Sequence, residues 1–240
     1  MELQNMSISG AGKLGGGEYA KVSCSGSSKI LGNLKCLALS MSGAIKVQGS
    51  VTCQGAIRAS GSSKIEGDVI CNDRLFASGA TRFCGDVRAE SISCSGATKI
   101  EKDVDVKIIK TSGAFQVGGD CYAETVKMSG GFHIGGELNA EQIELSMGVG
   151  CECEVGSIGG GTVKVSRETT WGLWGFLKKR KTALRTLLIE ADRVELKNTI
   201  AKIVRCTDAV IGEGCEIEVL EYSGAAEVHP KAKIGKVVKI

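Results

Sequence analysis

Ser60-Gly61-Ser62-Ser63-Lys64-Ile65-Glu66-Gly67-Asp68-Val69-Ile70-Cys71 is one copy of a phrase that returns down the first two-thirds of the chain. Its apolar leader falls at Ile30, Val47, Ile65, Phe83, Ile100, Val117 and Ile134, in steps of 17, 18, 18, 17, 17 and 17 residues. A fixed period of this length marks a stacked repeat and takes precedence over every local signal.

Several columns keep the same register. Two residues after the leader stand Gly32, Gly49, Gly67, Gly85, Gly119 and Gly136, with Lys102 in the remaining copy. Two further on come Leu34, Val51, Val69, Val87, Val104, Cys121 and Leu138, and then Cys36, Cys53, Cys71, Ala89, Val106, Ala123 and Ala140. Ser-Gly pairs open each copy, from Ser25 to Ser129. Spacing of two means strand, because alternate side chains share a face. A single copy holds too few apolar side chains to fold alone, so its inner face is buried only by neighbouring copies. The period predicts an all-β, single-stranded parallel β-helix with 17–18-residue rungs. Columns of Gly and of small residues fit its tight corners, where Gly takes φ > 0 or admits a close backbone.

The chain has 240 residues, with 34 Gly, one Pro and 4% aromatics, which suits many corners around a core of small aliphatics. A net charge of +3 gives no ground for nucleic acid as a partner. The eleven Cys mostly occupy places that also take Ala or Val, so they read as small buried hydrophobes. Cys151-x-Cys153 is the one close pair, with no second pair or His beside it to suggest zinc. No apolar run reaches transmembrane length; the odd Cys count and a first stretch that does not read as a signal segment lead to the expectation of a reducing cytoplasm.

Regular rungs run from about residue 20 to 140, with a degenerate first rung at Ser9-Gly10 and Leu14-x-Gly16. Strand-like residues continue to 165, where Gly159-Gly160-Gly161 suggests a loop or corner. The expected organisation is a β-helix over 1–165, an aromatic-basic insert over 166–186 that protrudes from it, and final rungs over 187–240. The insert holds both Trp of the chain and six basic residues against Glu168 alone, which leaves the rest slightly acidic. Trp171, Leu173, Trp174, Phe176 and Leu177 would enter a headgroup boundary while Lys178, Lys179, Arg180 and Lys181 meet anionic lipid.

No catalytic constellation is visible, and no cofactor is expected. His133 and His229 stand in different rungs, and His133 lies in the outward phase of a strand. Glu66, Asp68, Asp86 and Asp103 could suggest polysaccharide cleavage. They accompany Lys64, Arg82, Lys99 and Lys102, and a mixed charge ladder in solvated strands is the better reading. Gly15-Gly16-Gly17 lacks the Lys-Ser/Thr of a phosphate loop. The steps also lack the strict six-residue phase of the β-helical acyltransferases.

The serial phrase, as in Ser62-Ser63-Lys64-Ile65-Glu66-Gly67-Asp68-Val69, resembles the bactofilins, polymer-forming cytoskeletal proteins of bacteria. The resemblance is clear over about residues 20–140 and loose elsewhere. It implies a right-handed β-helix that assembles into a head-to-tail homopolymer without nucleotide. It also implies peripheral association with the cytoplasmic membrane face and a scaffolding role toward envelope or motility proteins. Two departures stand out: the solenoid fills nearly the whole chain, and the aromatic-basic stretch is internal. An open β-helix end carries unpaired backbone groups and would pair with a copy of itself. Val237, Val238 and Ile240, in the closing Lys236-Val237-Val238-Lys239-Ile240, are the expected polymer interface. The alternative is a discrete partner-binding module like the β-helical domain of the bacterial division inhibitor MinC.

Overall fold

A computed structural model describes residues 3–168 and 182–240, and all regular structure among them is β-strand. The chain divides into two compact units, Met1–Gly119 and Asp120–Ile240. Each is a stack of parallel strands in which every rung pairs with the next stretch of the same chain.

In the first unit the strands are β1 (Asn5–Val47), β2 (Val51–Cys53), β3 (Ile57–Ile65), β4 (Val69–Phe83), β5 (Val87–Ile100) and β6 (Val104–Val117). β1 is long because it winds through more than one rung without losing its ladder. The predicted columns are the observed ones. Leu34, Val51, Val69, Val87 and Val104 pair in that order, and each is fully buried. The leaders Val47, Ile65, Phe83, Ile100 and Val117 pair likewise and are buried. Alternation along each strand turns these columns inward and the Lys, Glu and Ser residues between them outward.

The two Gly columns differ in backbone conformation. Gly61, Gly79 and Gly96 of the Ser-Gly pairs have φ of 92°, 109° and 124°, where a Cβ would be strained. Gly67 of the Ile-x-Gly phrase has no positive φ; a Cβ there would lie 2.5 Å from the Ser50 amide nitrogen. Close contact between rungs is common to both columns, since a Cβ on Gly61 would lie 2.7 Å from the Gly43 carbonyl oxygen; the positive φ is what sets the Ser-Gly column apart from Gly67. The degenerate first rung follows the same plan, with Gly10 at φ 88° directly against Gly26.

The second unit holds β7 (Cys121–Met147), β8 (Cys153–Arg167), β9 (Leu184–Leu196), β10 (Thr199–Ile211), β11 (Glu216–Tyr222), β12 (Ala226–Val228) and β13 (Lys233–Lys239). Its inward columns include Leu138, Ile158, Ile189, Val204, Leu220 and Val237. Gly159-Gly160-Gly161, expected as a loop or corner, lies inside β8 and pairs with β7 through Asn139↔Gly159 and Ala140↔Gly160. A strand runs there because the packing leaves no room for side chains; a Cβ on Gly160 would meet the Ala140 carbonyl. β8 continues to Arg167 and β9 begins at Leu184, so the ladder reaches into both ends of the stretch read as an insert.

Candidate functional site

β13 is the last strand of the second unit, and among the described residues it pairs only with β11. Val237 follows Leu220 in an inward column. Leu220 is 0% exposed and Val237 is 53% exposed, because among the described residues no further strand covers it. Val228, in the column after Ile211, is uncovered in the same way. Val238 sits differently from its expected companions. It pairs with Glu221, in the outward column of Glu190 and Arg205, and is half-buried. Ile240 is exposed, and its amide donates to the Tyr222 carbonyl at 2.9 Å. Thus Val237 and Ile240 stand at the open rung, whereas Val238 belongs to the side wall.

The same rung is basic. Lys231, Lys233, Lys236 and Lys239 are all exposed. Lys233 pairs with Glu216 at 3.0 Å, Lys231 with Glu213 at 3.7 Å, and the Lys239 ammonium lies 5.7 Å from the Tyr222 ring centre. Exposed lysines on a sheet edge discourage pairing with a like-charged edge.

Trp171, Leu173, Trp174, Phe176, Leu177, Lys178, Lys179, Arg180 and Lys181 lie outside the described residues. On either side, β8 and β9 pair directly, Cys153 with Leu184 and Val165 with Leu196. Among the described residues no helix is long and apolar enough to cross a membrane.

The carboxylates Asp68, Asp86 and Asp103 do not lie in strands as expected. They occupy the corners before β4, β5 and β6 and hold the backbone of adjacent rungs. Asn33 Oδ1 accepts the Ser50 N–H at 2.9 Å, and Ser50 Oγ accepts the Asp68 N–H at 3.2 Å. Asp68 Oδ1 accepts the Asp86 N–H at 3.0 Å, and Asp86 Oδ1 accepts the Asp103 N–H at 3.3 Å. In the second unit Asp120 and Asp208 do the same for Glu137 and Ala225. A polar side chain at each corner satisfies an amide that the ladder leaves free. Glu66 likewise lies outside the strands, directly after β3, and faces outward as expected, against Lys46 and Lys64. The Lys46 ammonium, foremost, holds its carboxyl below the usual range.

The cysteines are packing residues. Nine of the eleven are buried; Cys84 and Cys151 are half-buried. Burial pushes the thiols of Cys94, Cys153 and Cys206 up to about 11 and that of Cys121 to about 12, so they stay protonated at neutral pH. His133 faces outward, with Nδ1 3.6 Å from the Glu154 carboxylate. Among the described residues no three His, Cys, Asp or Glu converge as metal ligands would.

Two of the concave surfaces among the described residues run across successive rungs. A groove of about 920 Å³ in the second unit crosses successive rungs, lined among others by Arg185, Leu187, Ile200, Lys202, Glu216 and Glu218. A trough of about 420 Å³ in the first unit has Ala80, Ala97 and Ala114 in its floor and Lys64, Arg82 and Lys99 along one side. Neither is visible along the chain, because each is made by residues about a rung apart.

No protein-family model matches the chain, and no solved structure matches it. It is 37% identical over 86 residues to the uncharacterized protein YhbF of Bacillus subtilis (strain 168). It is 45% identical over 53 residues to the uncharacterized protein YhbE of the same organism. The matched stretches cover 36% and 22% of this chain. They span about a third of YhbF (34%) and about a fifth of YhbE (22%).

Proposed function

We propose that the chain is a non-enzymatic structural scaffold, bactofilin-like in that it self-assembles end to end. The observation that carries this reading is Val237, which continues a buried inward column and is nevertheless 53% exposed. A second copy placing a rung over β13 would bury Val237, Val228 and Ile240 and pair the free strand edge. Charge favours a head-to-tail contact. The basic β13 rung faces a like-charged surface in a tail-to-tail contact, whereas residues 3–20 carry only Lys13 and Glu18 as charges. A heterologous contact of that kind does not close on itself and propagates as a filament.

Placement at the cytoplasmic membrane face, where envelope or motility proteins would be localised, is part of the proposal. It rests on the sequence of residues 171–181, where indoles adjoin a basic run. A discrete binding module is the second reading, favoured by the groove of about 920 Å³ on the second unit. Negative-stain microscopy of the full chain separates the two. Filaments support the scaffold; uniform small particles at every concentration overturn it and leave the binding module.

A further inference from the structure

At the corners of the first unit, Asp68, Asp86 and Asp103 form a like-signed column that is engaged with backbone amides. Within the strands, many facing residues pair opposite signs, and one outward column of the first unit does not. Arg88 is in register with Asp105, Lys164 with Glu195, Arg205 with Glu190 and Glu221, and Lys233 with Glu216. Glu90 and Lys107 lie 2.9 Å apart, and Glu18 and Lys35 3.0 Å. By contrast, Lys46, Lys64, Arg82 and Lys99 stand in register with one another. Lys29 holds the same place one rung earlier, next to Ile30, whose carbonyl accepts from the Gln48 amide. Neighbouring rungs are about 4.8 Å apart. Like charges that face each other at this distance destabilise a sheet.

Two carboxylates answer this stripe. Glu66 meets both Lys46 and Lys64, at 2.7 and 3.3 Å, and Glu101 meets Arg82. The other members of that neighbouring column are Gln48, Cys84 and Gly118. Five cations thus share two anions. On the other side of the stripe, the outward residues are Ala44, Ser62, Ala80, Ala97 and Ala114, in register. Small side chains beside long cationic ones leave the trough of about 420 Å³. It follows the stack and is walled by side chains that keep 40–51% exposure at Lys64 and Arg82.

We propose that this trough binds an unbranched polyanion whose charges are phosphates or phosphodiesters, laid along the rungs. The repeat of cations matches a ligand with repeated charges, not a single anion. A nucleic acid fits less well, because none of the residues that line the trough is aromatic and could stack a base. A bilayer fits less well, because no side chain larger than Ala offers apolar insertion at its floor. The inference is independent of end-to-end assembly and concerns the side of the first unit.

The test uses the full chain and two probes, long-chain inorganic polyphosphate and poly(glycerol phosphate), each titrated across a salt series. Binding by either supports the proposal, and the tighter probe separates a free phosphate chain from a phosphodiester polymer. By the rule for single-stranded polyanions, loss of three cations in Lys64→Gln/Arg82→Gln/Lys99→Gln lowers the slope of log affinity against log salt by about 2. Ala97→Glu, at an outward position, places an anion in the trough and lowers affinity at least tenfold with an unchanged circular dichroism spectrum. The control Lys35→Gln/Lys107→Gln, which removes cations from opposite-sign pairs, binds as wild type. Failure of wild type to bind both probes at low salt overturns the proposal, as does a triple variant with an undiminished slope. Tighter binding to single-stranded DNA or to anionic vesicles, lost in the same triple variant, overturns it in favour of those partners.

Discussion

The Asp68 carboxylate accepts the backbone N–H of Asp86, one rung on, at 3.0 Å. Asp86 repeats the act toward Asp103. The corner of the first unit is therefore held by side chain to backbone bonds where the strand ladder is interrupted. Asp68→Ala leaves the Asp86 amide without this acceptor and costs about 1–2 kcal/mol of stability. Asp68→Asn keeps an acceptor oxygen and costs less than half as much. Urea unfolding of the two variants measures the difference, and equal midpoints would deny the corner bond its role.

Val69 lies between Val51 and Val87 in a column with no exposed member. Val69→Asp buries a carboxylate with no partner and destabilises by several kcal/mol. Thermal unfolding reads this directly. A melting point within a degree or two of wild type would mean that the column is not a core.

This column was legible in the sequence because its signal runs along the chain: period two within a strand and 17–18 between rungs. The corner bonds were not. Asp68 is an ordinary charged residue in the string, and its partner is 18 positions away at a place set by the path of the corner. The basic stripe escaped for a related reason. Read along the chain, Lys64-Ile65-Glu66 and Arg82-Phe83-Cys84 look mixed; read across rungs, Lys46, Lys64, Arg82 and Lys99 are all of one sign. Val237 and Val238 were grouped as neighbours, yet strand alternation sends them to different columns.

Thr81 occupies an inward column that elsewhere holds Ile45 and Phe115, by way of Ser63 and Thr98. Its hydroxyl is buried and has no hydrogen-bond partner among the described residues. Thr81→Val keeps the shape and removes the desolvated hydroxyl, so stability rises by about 1 kcal/mol. Chemical denaturation checks it. A loss of stability would show that the hydroxyl is satisfied in solution.

Thiol reactivity should divide the cysteines by position. Cys94 and Cys121 are held protonated by burial, with pKa values of about 11 and about 12. Cys84 and Cys151 are the two that are not fully buried. A thiol reagent at pH 8 should therefore label Cys84 and Cys151 ahead of the nine buried thiols in the folded protein, Cys84 being slowed by the desolvation and the Glu101 carboxylate that raise its pKa, and all eleven only in denaturant. Mass mapping of early adducts at Cys53 or Cys71 would contradict the packing.

Val237 is the residue on which assembly most directly turns. It stacks on Leu220, and no other strand among the described residues covers it. A lysine there keeps the pairing of β13 with β11, since the backbone bonds do not involve the side chain. Val237→Lys should leave the circular dichroism spectrum unchanged and weaken growth of the polymer. Loss of one half-buried valine contact, worth about 1 kcal/mol, changes an association constant about fivefold. Val238→Lys, on the side wall beside Glu221, should have a smaller effect. Salt then separates the two polarities. In a tail-to-tail contact Lys231, Lys233, Lys236 and Lys239 would face their own copies, so added salt would promote assembly. In a head-to-tail contact they face a rung with Lys13 and Glu18, and salt should change assembly little. Light scattering from 50 mM to 500 mM salt, a range on the order of that used for charge screening, distinguishes these outcomes. Polymer mass that rises steeply with salt would reject the head-to-tail arrangement. Polymer mass untouched by Val237→Lys would remove the β13 rung from the interface altogether.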